Sequence, residues 1–255
     1  MKSPARCLLV LLLSCVVRPL LAAEAPDFSA AQREMVGLLK DFVRLQTFAP
    51  AGNETQAAKL LQGVLASDGI TAEIFEKESG RGNLVARLKG SGKKRPLLLM
   101  GHLDTVGVER SKWTVEPFEP VEKEGYLYGR GTTDDKTGTV VFLQVFRLLH
   151  RLKVPLDRDV IFVAEAAEET DASLGIEFLV EKHWDKIAAE FALNEGGITL
   201  EENGRVKYVA VSAAEKVPRR LFLSATGVSG HGSRPRPDNA IVHLAAAVAK
   251  VAEWQ

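Results

Sequence analysis

A doubly wound, mostly parallel α/β sheet is the fold class this sequence predicts, and three observations predict it. An uninterrupted apolar run at 97–100 reads as a strand buried on both faces, and 159–166 reads as a second apolar strand. Stretches of helical periodicity alternate with them. The runs end on histidine and carboxylate residues, at the edge where open α/β sheets bind ligands.

Taken in order, Ser29 with Gln32 reads as a capping box, and Met35, Leu38, Leu39, Phe42 and Leu45 then recur at helical spacing. Asn53 with Gln56 repeats the device before Leu60, Leu61, Val64 and Leu65, and Asp68-Gly69 stops that helix. Residues 70–76 alternate like a half-buried strand, 83–88 reads as another, and 90–94 turns into the central strand. Residues 121–128 form a hairpin about Glu124-Gly125. A helix runs from Thr137 to Leu152 and stops before Pro155. The apolar strand at 159–166 leads through Glu168-Glu169 to a helix over 173–184, and a short strand at 191–193 carries Asn194-Glu195. Near Pro218 the character changes: a strand at 221–225, a glycine- and proline-rich loop at 227–237 and a helix at 239–254. These last elements are too few to bury a core of their own.

Lysine plus arginine and aspartate plus glutamate each number 33, so the formal net charge is zero and nothing points to nucleic acid or an anionic membrane. Both cysteines, Cys7 and Cys15, lie in the first fifteen residues, so the body has no disulfide framework and no thiolate metal site. Lys2 and Arg6, the apolar stretch 7–17 and the small residues Ala22, Ala23 and Ala25 follow the order of a secretory signal peptide. The stretch is too short for a membrane span. Residues 1–23 are therefore expected to be removed, and the protein to be secreted or periplasmic. A lipoprotein-like box at 12–15 is a lesser reading, because apolar residues continue beyond Cys15.

His102 and Asp104 emerge on one side of the strand that begins at 97, since residues two apart in an extended chain point the same way. A neutral imidazole is a good metal ligand, and a carboxylate beside it fixes its tautomer. On this motif alone a mutually satisfied His–Asp pair at a strand end explains the residues equally well. Asp134-Asp135, Glu168-Glu169 and Glu195 add carboxylates at other strand ends or loops. Adjacent carboxylates repel unless a cation compensates, and one pair is ordinarily a solvated loop. Several, with a histidine at one sheet edge, look like ligands for a pair of divalent metals. Without thiolates, zinc suits them, with manganese or cobalt as alternatives.

The segments Gly101-His102-Leu103-Asp104, Gly129-Arg130-Gly131-Thr132-Thr133-Asp134-Asp135-Lys136 and Glu168-Glu169, in this order and spacing, resemble the M20 family of zinc metallopeptidases, the carboxypeptidase and amino-acylase group. Asn194-Glu195-Gly196-Gly197, Gly230-His231-Gly232-Ser233-Arg234-Pro235, Asp238-Asn239-Ala240-Ile241 and the aromatic-proline run 113–118 extend the likeness over nearly all of the chain after residue 23. The resemblance implies two zinc ions, with His102 on one, Asp134 bridging both, Glu169 on the second and Glu195 completing the first. It implies that Asp104 orients His102 and that Glu168 is the general base acting on a metal-bridging water. His231 would stabilise the oxyanion and Asn239 would hold the substrate's carboxylate. A cis peptide after Asp134 is also implied. The substrate class implied is a peptide or N-acyl amino acid cleaved at an amide next to a free carboxylate, by a carboxypeptidase, dipeptidase or acyl-amino-acid hydrolase. Homodimerisation through a lid domain is implied as well.

The family's last histidine ligand, beyond the lid, has no counterpart here; His243 reads as a helix-face residue, and His150 and His183 suit helix ends. The expected organisation is therefore a signal peptide at 1–23, an incomplete catalytic domain at 24–215 and the start of a lid and dimerisation domain at 216–255, in a chain that is the N-terminal part of a longer enzyme. The competing readings are a non-catalytic binding module on the same fold and an inert, metal-poor fragment.

Overall fold

The computed structural model describes residues 28–48, 52–214, 221–234 and 236–254. The expected signal peptide, both cysteines and Pro235 lie outside them. The chain divides into two compact units, one ending at Glu195 and the other beginning at Gly196.

The first unit is a sheet with helices on both faces. Its elements in chain order are α1 (Ser29–Arg44), α2 (Glu54–Ser67), β1 (Ala72–Glu76), β2 (Gly82–Leu88), β3 (Leu97–His102), β4 (Val121–Lys123), β5 (Tyr126–Tyr128), α3 (Lys136–Arg151), β6 (Val160–Glu165), α4 (Ile176–Lys182), α5 (Trp184–Ile187) and β7 (Phe191–Leu193). The strand order is β1-β2-β6-β3-β7, with β4 and β5 a separate hairpin. β6 pairs in parallel with β3, and β3 with β7, while β2 lies antiparallel between β1 and β6. Within the five-stranded sheet all strands but β2 thus run the same way, as the apolar runs lead one to expect.

Every residue of β6 is buried, because both faces are covered. Phe162 and Ala164 face the core formed with Phe42 of α1, Leu61 of α2 and Phe146 of α3. Ile161 and Val163 face the opposite core, with Leu179 of α4 and Ile187 of α5. Alternation along one strand therefore binds both helical layers, at about 1.5–3 kcal/mol for each large side chain removed from water.

Because β3, β6 and β7 are parallel neighbours, their C-terminal ends share one edge. His102 closes β3, the segment through Glu168 and Glu169 follows β6, and Glu195 follows β7. The crossover from β3 to β6 runs through α3, whose N-terminus brings Asp134 and Asp135 to the same edge.

Several local expectations are corrected. The N-cap of α1 falls on Phe28, one residue before Ser29, with no side-chain cap bond. Asn53 does cap α2 by position, yet its amide donates to Gln46 O at 3.2 Å instead of closing a box with Gln56. The single helix expected over 173–184 is a 3₁₀ turn at Ala172–Leu174 followed by α4 and α5. It breaks at Gly175, where a Cβ would collide with Ala166 O.

An ionic bracket ties the three helices of one layer. Asp68, at the C-cap of α2, accepts from Arg147 Nε at 2.7 Å and from Arg151 Nη2 at 2.8 Å, and Arg151 also reaches Glu34 of α1 at 2.7 Å. Burial acts against the Asp68 carboxylate, but the two guanidinium groups outweigh it and hold its pKa below the usual value of 3.8. A depressed pKa stabilises the fold fully above that value and progressively less as pH falls below it. Asp68→Asn should therefore cost roughly 3 kcal/mol at pH 7, the low end for breaking a buried pair. The difference from wild type should narrow below about pH 4. Urea denaturation at pH 7 and pH 3 checks this, and a gap that does not change with pH contradicts it.

The second unit contains β8 (Ile198–Glu202) and β9 (Arg205–Ala210), paired as a hairpin, and α6 (Ala240–Ala252). Asn203 and Gly204 both have positive φ, as a two-residue hairpin turn requires. The strand expected at 221–225 is irregular; Phe222 there is 86% exposed, and among the described residues no strand pairs with it. A lone extended segment has nowhere to place its ladder hydrogen bonds. Among the described residues no helix is long and apolar enough to cross a membrane.

Candidate metal centre

The centre is built from the end of β3 outward. Gly101 precedes His102, and a Cβ there would run into Thr139 Oγ1 and the Asp135 carboxylate. The missing side chain is what lets the first turn of α3 press against β3. Thr139 Oγ1 then donates to His102 O at 3.0 Å, fixing the two elements together.

His102 is buried, with Nδ1 lying 3.0 Å from Asp104 O and 3.3 Å from Asp104 Oδ1. Two acceptors on one side hold a ring proton on Nδ1, so Nε2 is the nitrogen that can take an ion on the other side once its own proton is displaced. There it meets Asp134 Oδ1 at 3.0 Å and Glu195 Oε1 at 3.9 Å. Ligand atoms of His102, Asp134 and Glu195 all lie within 4.8 Å of one another. The peptide between Asp134 and Asp135 is cis.

Asp104 does more than orient the imidazole. Its Oδ1 accepts from the Glu168 N–H and its Oδ2 from the Glu169 N–H, each at 3.1 Å. One fully buried carboxylate therefore couples the histidine to the acidic loop after β6.

Two further residues hold that loop and escaped the sequence reading. Asn83, buried on β2, accepts from Ala166 N and donates to Leu174 O, both at 2.9 Å, so one carboxamide closes the loop at its two ends. Glu165 accepts from Ile176 N at 2.8 Å, and burial raises its pKa to about 7. The signal was a buried polar residue in an otherwise apolar strand, which must find partners.

The electrostatics call for a cation. Burial opposes the charged form of His102, but Asp104, Asp134 and Glu195 outweigh it and push its pKa up to about 10. Glu195 is raised to about 7 by burial, with Asp135, Asp134 and Glu168 adding to the effect against His102. Glu169 is raised by burial and by the charges of Asp134, Glu168 and Asp104. Such mutual repulsion is relieved when a divalent ion replaces the proton. The separation of 3.0 Å between Nε2 and Oδ1 also suits two ligand atoms each about 2.0–2.2 Å from one ion. An imidazole with carboxylates and no thiolate belongs to the zinc, manganese or cobalt class. The residues fit a metal.

His231 and Asn239 belong to the second unit. His231 Nδ1 lies 2.8 Å from Ser233 Oγ, and Asn239 Oδ1 accepts from Ile241 N at 2.9 Å, capping α6. Both line a cavity of about 310 Å³ together with Arg234 and Arg236. Of the remaining histidines, His150 Nε2 lies 3.1 Å from Asp68 O and the ring of His183 packs on Phe75 and Phe178.

An imidazole and carboxylates gathered at the C-terminal edge of a parallel sheet, with spare glutamates beside them, define a candidate divalent-metal centre. The chain belongs to peptidase family M20/M25/M40, whose profile matches residues 98–253. It is 30% identical over 200 residues to the human N-fatty-acyl-amino acid synthase/hydrolase PM20D1, covering 76% of this chain and 38% of that protein. It is 32% identical over 213 residues to succinyl-diaminopimelate desuccinylase 2 of Ruegeria, covering 80% of this chain and 50% of that one. Its fold resembles an M20 family metallo-carboxypeptidase of Sulfolobus solfataricus, at a TM-score of 0.56 and 26% identity over 68% of this chain and 39% of that one. The chain thus spans about two fifths to one half of the length of these relatives.

Proposed function

We propose that the protein hydrolyses an amide bond next to a free carboxylate, in a peptide or an N-acyl amino acid. The observation that carries this reading is the His102–Asp134–Glu195 set, joined through Asp104 to the loop bearing Glu168. In it, His102, Asp134 and Glu195 hold one divalent ion, zinc by preference, and Glu169 with Asp134 serves a second. When bound, the metal polarises the carbonyl and makes water acidic enough to attack near neutral pH. Glu168 takes the proton from the attacking water and returns it to the departing nitrogen, so the carboxylate is regenerated at the end of each turnover. Its backbone is anchored by Asp104, which keeps the base in step with the imidazole. His231 is the proposed donor to the oxyanion and Asn239 the proposed partner of the substrate's carboxylate.

Relatives support this class by name: an N-acyl amino acid hydrolase, a desuccinylase and a metallo-carboxypeptidase. The alternative of a non-catalytic module leaves unexplained why several carboxylates are held against one imidazole. Export rests on the order of charged, apolar and small residues from Lys2 to Ala25. A lid and dimerisation role for the C-terminal segment rests on the motifs around His231 and Asn239. The test of the reaction is to strip the chain with chelator, add back zinc, manganese or cobalt, and assay dipeptides and N-acyl amino acids. Metal-dependent release of the free amino acid is expected, and no release with any of the three ions overturns the reading.

Asn83 provides a sharper check on the acidic loop. Asn83→Ala removes both ends of its bracket, and misplacing a base by even ~1 Å can cost about a hundredfold. Asn83→Asp keeps an acceptor for Ala166 N but sets an oxygen against Leu174 O, so it should not restore the rate. A fall in kcat with KM nearly unchanged is expected for both, measured by steady-state kinetics. Wild-type kcat in either variant would mean that Asn83 does not position the base.

A further inference from the structure

The hairpin of β4 and β5 presents aromatic rings that no core uses. Residues two apart on a strand point to one side, and the Tyr126 and Tyr128 rings are 6.4 Å apart. They remain 69% and 40% exposed. Together with Trp113, Arg130 and Thr133 they line a cavity of about 370 Å³ that ends on Asp134. That volume falls in the range of small-molecule sites, which are walled by aromatic groups with a few polar ones. Asp134 is at once a wall of this cavity and a proposed metal ligand, so a group seated there adjoins the reacting bond.

The chemistry of the walls narrows the occupant. Asp134 repels an anionic group. The one cation in the lining, Arg130, lies over the Trp113 ring at 5.1 Å and donates to Gly107 O at 3.2 Å, and its unpaired Nε is buried away from the open cavity. What is left is ring surface, which favours flat aromatic partners at centroid distances of about 4.5–7 Å. The substrate's carboxylate is assigned to Asn239 in the second unit, so the cavity is free for the carbonyl side of the amide. We infer that the Trp113–Tyr126–Tyr128 cavity is the acyl-group subsite and takes an aromatic acyl group. This rests on the amidohydrolase reading above.

The test compares N-phenylacetyl and N-acetyl derivatives of one amino acid, using the metal-loaded chain and its Tyr126→Ser/Tyr128→Ser variant. KM for the phenylacetyl substrate should rise about tenfold, the scale of losing two ring contacts. KM for the acetyl substrate should stay within about twofold. Equal changes for both substrates, or none for either, overturn the inference. An independent readout is the fluorescence of Trp113 in a Trp184→Phe/Trp254→Phe background, titrated with phenylacetamide, a neutral aromatic probe. Saturable quenching that weakens in the tyrosine variant is expected, and absence of quenching overturns the inference without any assay of turnover. Saturable quenching in a chain that hydrolyses no amide upholds the aromatic site and overturns the amidohydrolase reading instead.

Discussion

Glu168→Gln lowers turnover at least about a hundredfold and leaves metal content unchanged. The scale is that of losing a positioned general base. The two side chains share a shape, but an amide oxygen cannot take the proton of the attacking water or carry it to the leaving nitrogen. The backbone of residue 168 keeps its hydrogen bond to Asp104 Oδ1 in the variant, so the loop and the imidazole remain in place. Single-turnover rates beside elemental analysis separate the two effects. A variant that keeps its rate removes Glu168 from the reaction. A variant that loses its metal makes residue 168 a ligand.

His102→Ala should abolish tight metal binding, and activity with it. Catalytic zinc is normally held by about three protein ligands, and the described residues bring three together at this point. Deleting the imidazole removes one ligand outright. It also leaves Asp134 and Glu195 facing each other without the group that draws them together. The Asp104 carboxylate would keep Glu168 N and Glu169 N but lose His102 Nδ1. Affinity should fall at least about a hundredfold in competition with a chromophoric chelator. Unchanged affinity would mean that the ion is held elsewhere.

How much of this was legible in the sequence depends on whether the determinants were local. Strands β3 and β6 were readable because burial on both faces leaves an apolar run, whereas β7 is exposed along its length and was readable only as the short apolar stretch Phe191–Leu193. Once these strands are parallel neighbours, the residues at their ends must share an edge, and that edge is where His102, Glu168, Glu169 and Glu195 lie. The placement of β2 was not readable. It enters antiparallel beside β6, and only that long-range pairing brings Asn83 under the loop after Glu165. The break at Gly175 is likewise set by Ala166 O, nine residues earlier in the chain and across the loop. The capping residues failed for a different reason: Asn53 has a better acceptor in Gln46 O than its own helix offers. The hairpin at Asn203-Gly204 carries a local signal in its Asn-Gly pair, but its immediate flanks, Glu202 and Arg205, are charged and mask the strand pattern.

We propose that an ion on His102, Asp134 and Glu195 gives this chain its hydrolytic activity. Zinc titration of the chelator-stripped chain, with hydrolysis of an N-acyl amino acid followed at each addition, tests it most directly. Activity should be absent at the start and rise with the first tightly bound ion, at about one per chain, while the His102→Ala protein stays inactive throughout. Full activity in the stripped chain, or an identical titration for the His102→Ala protein, would contradict the account.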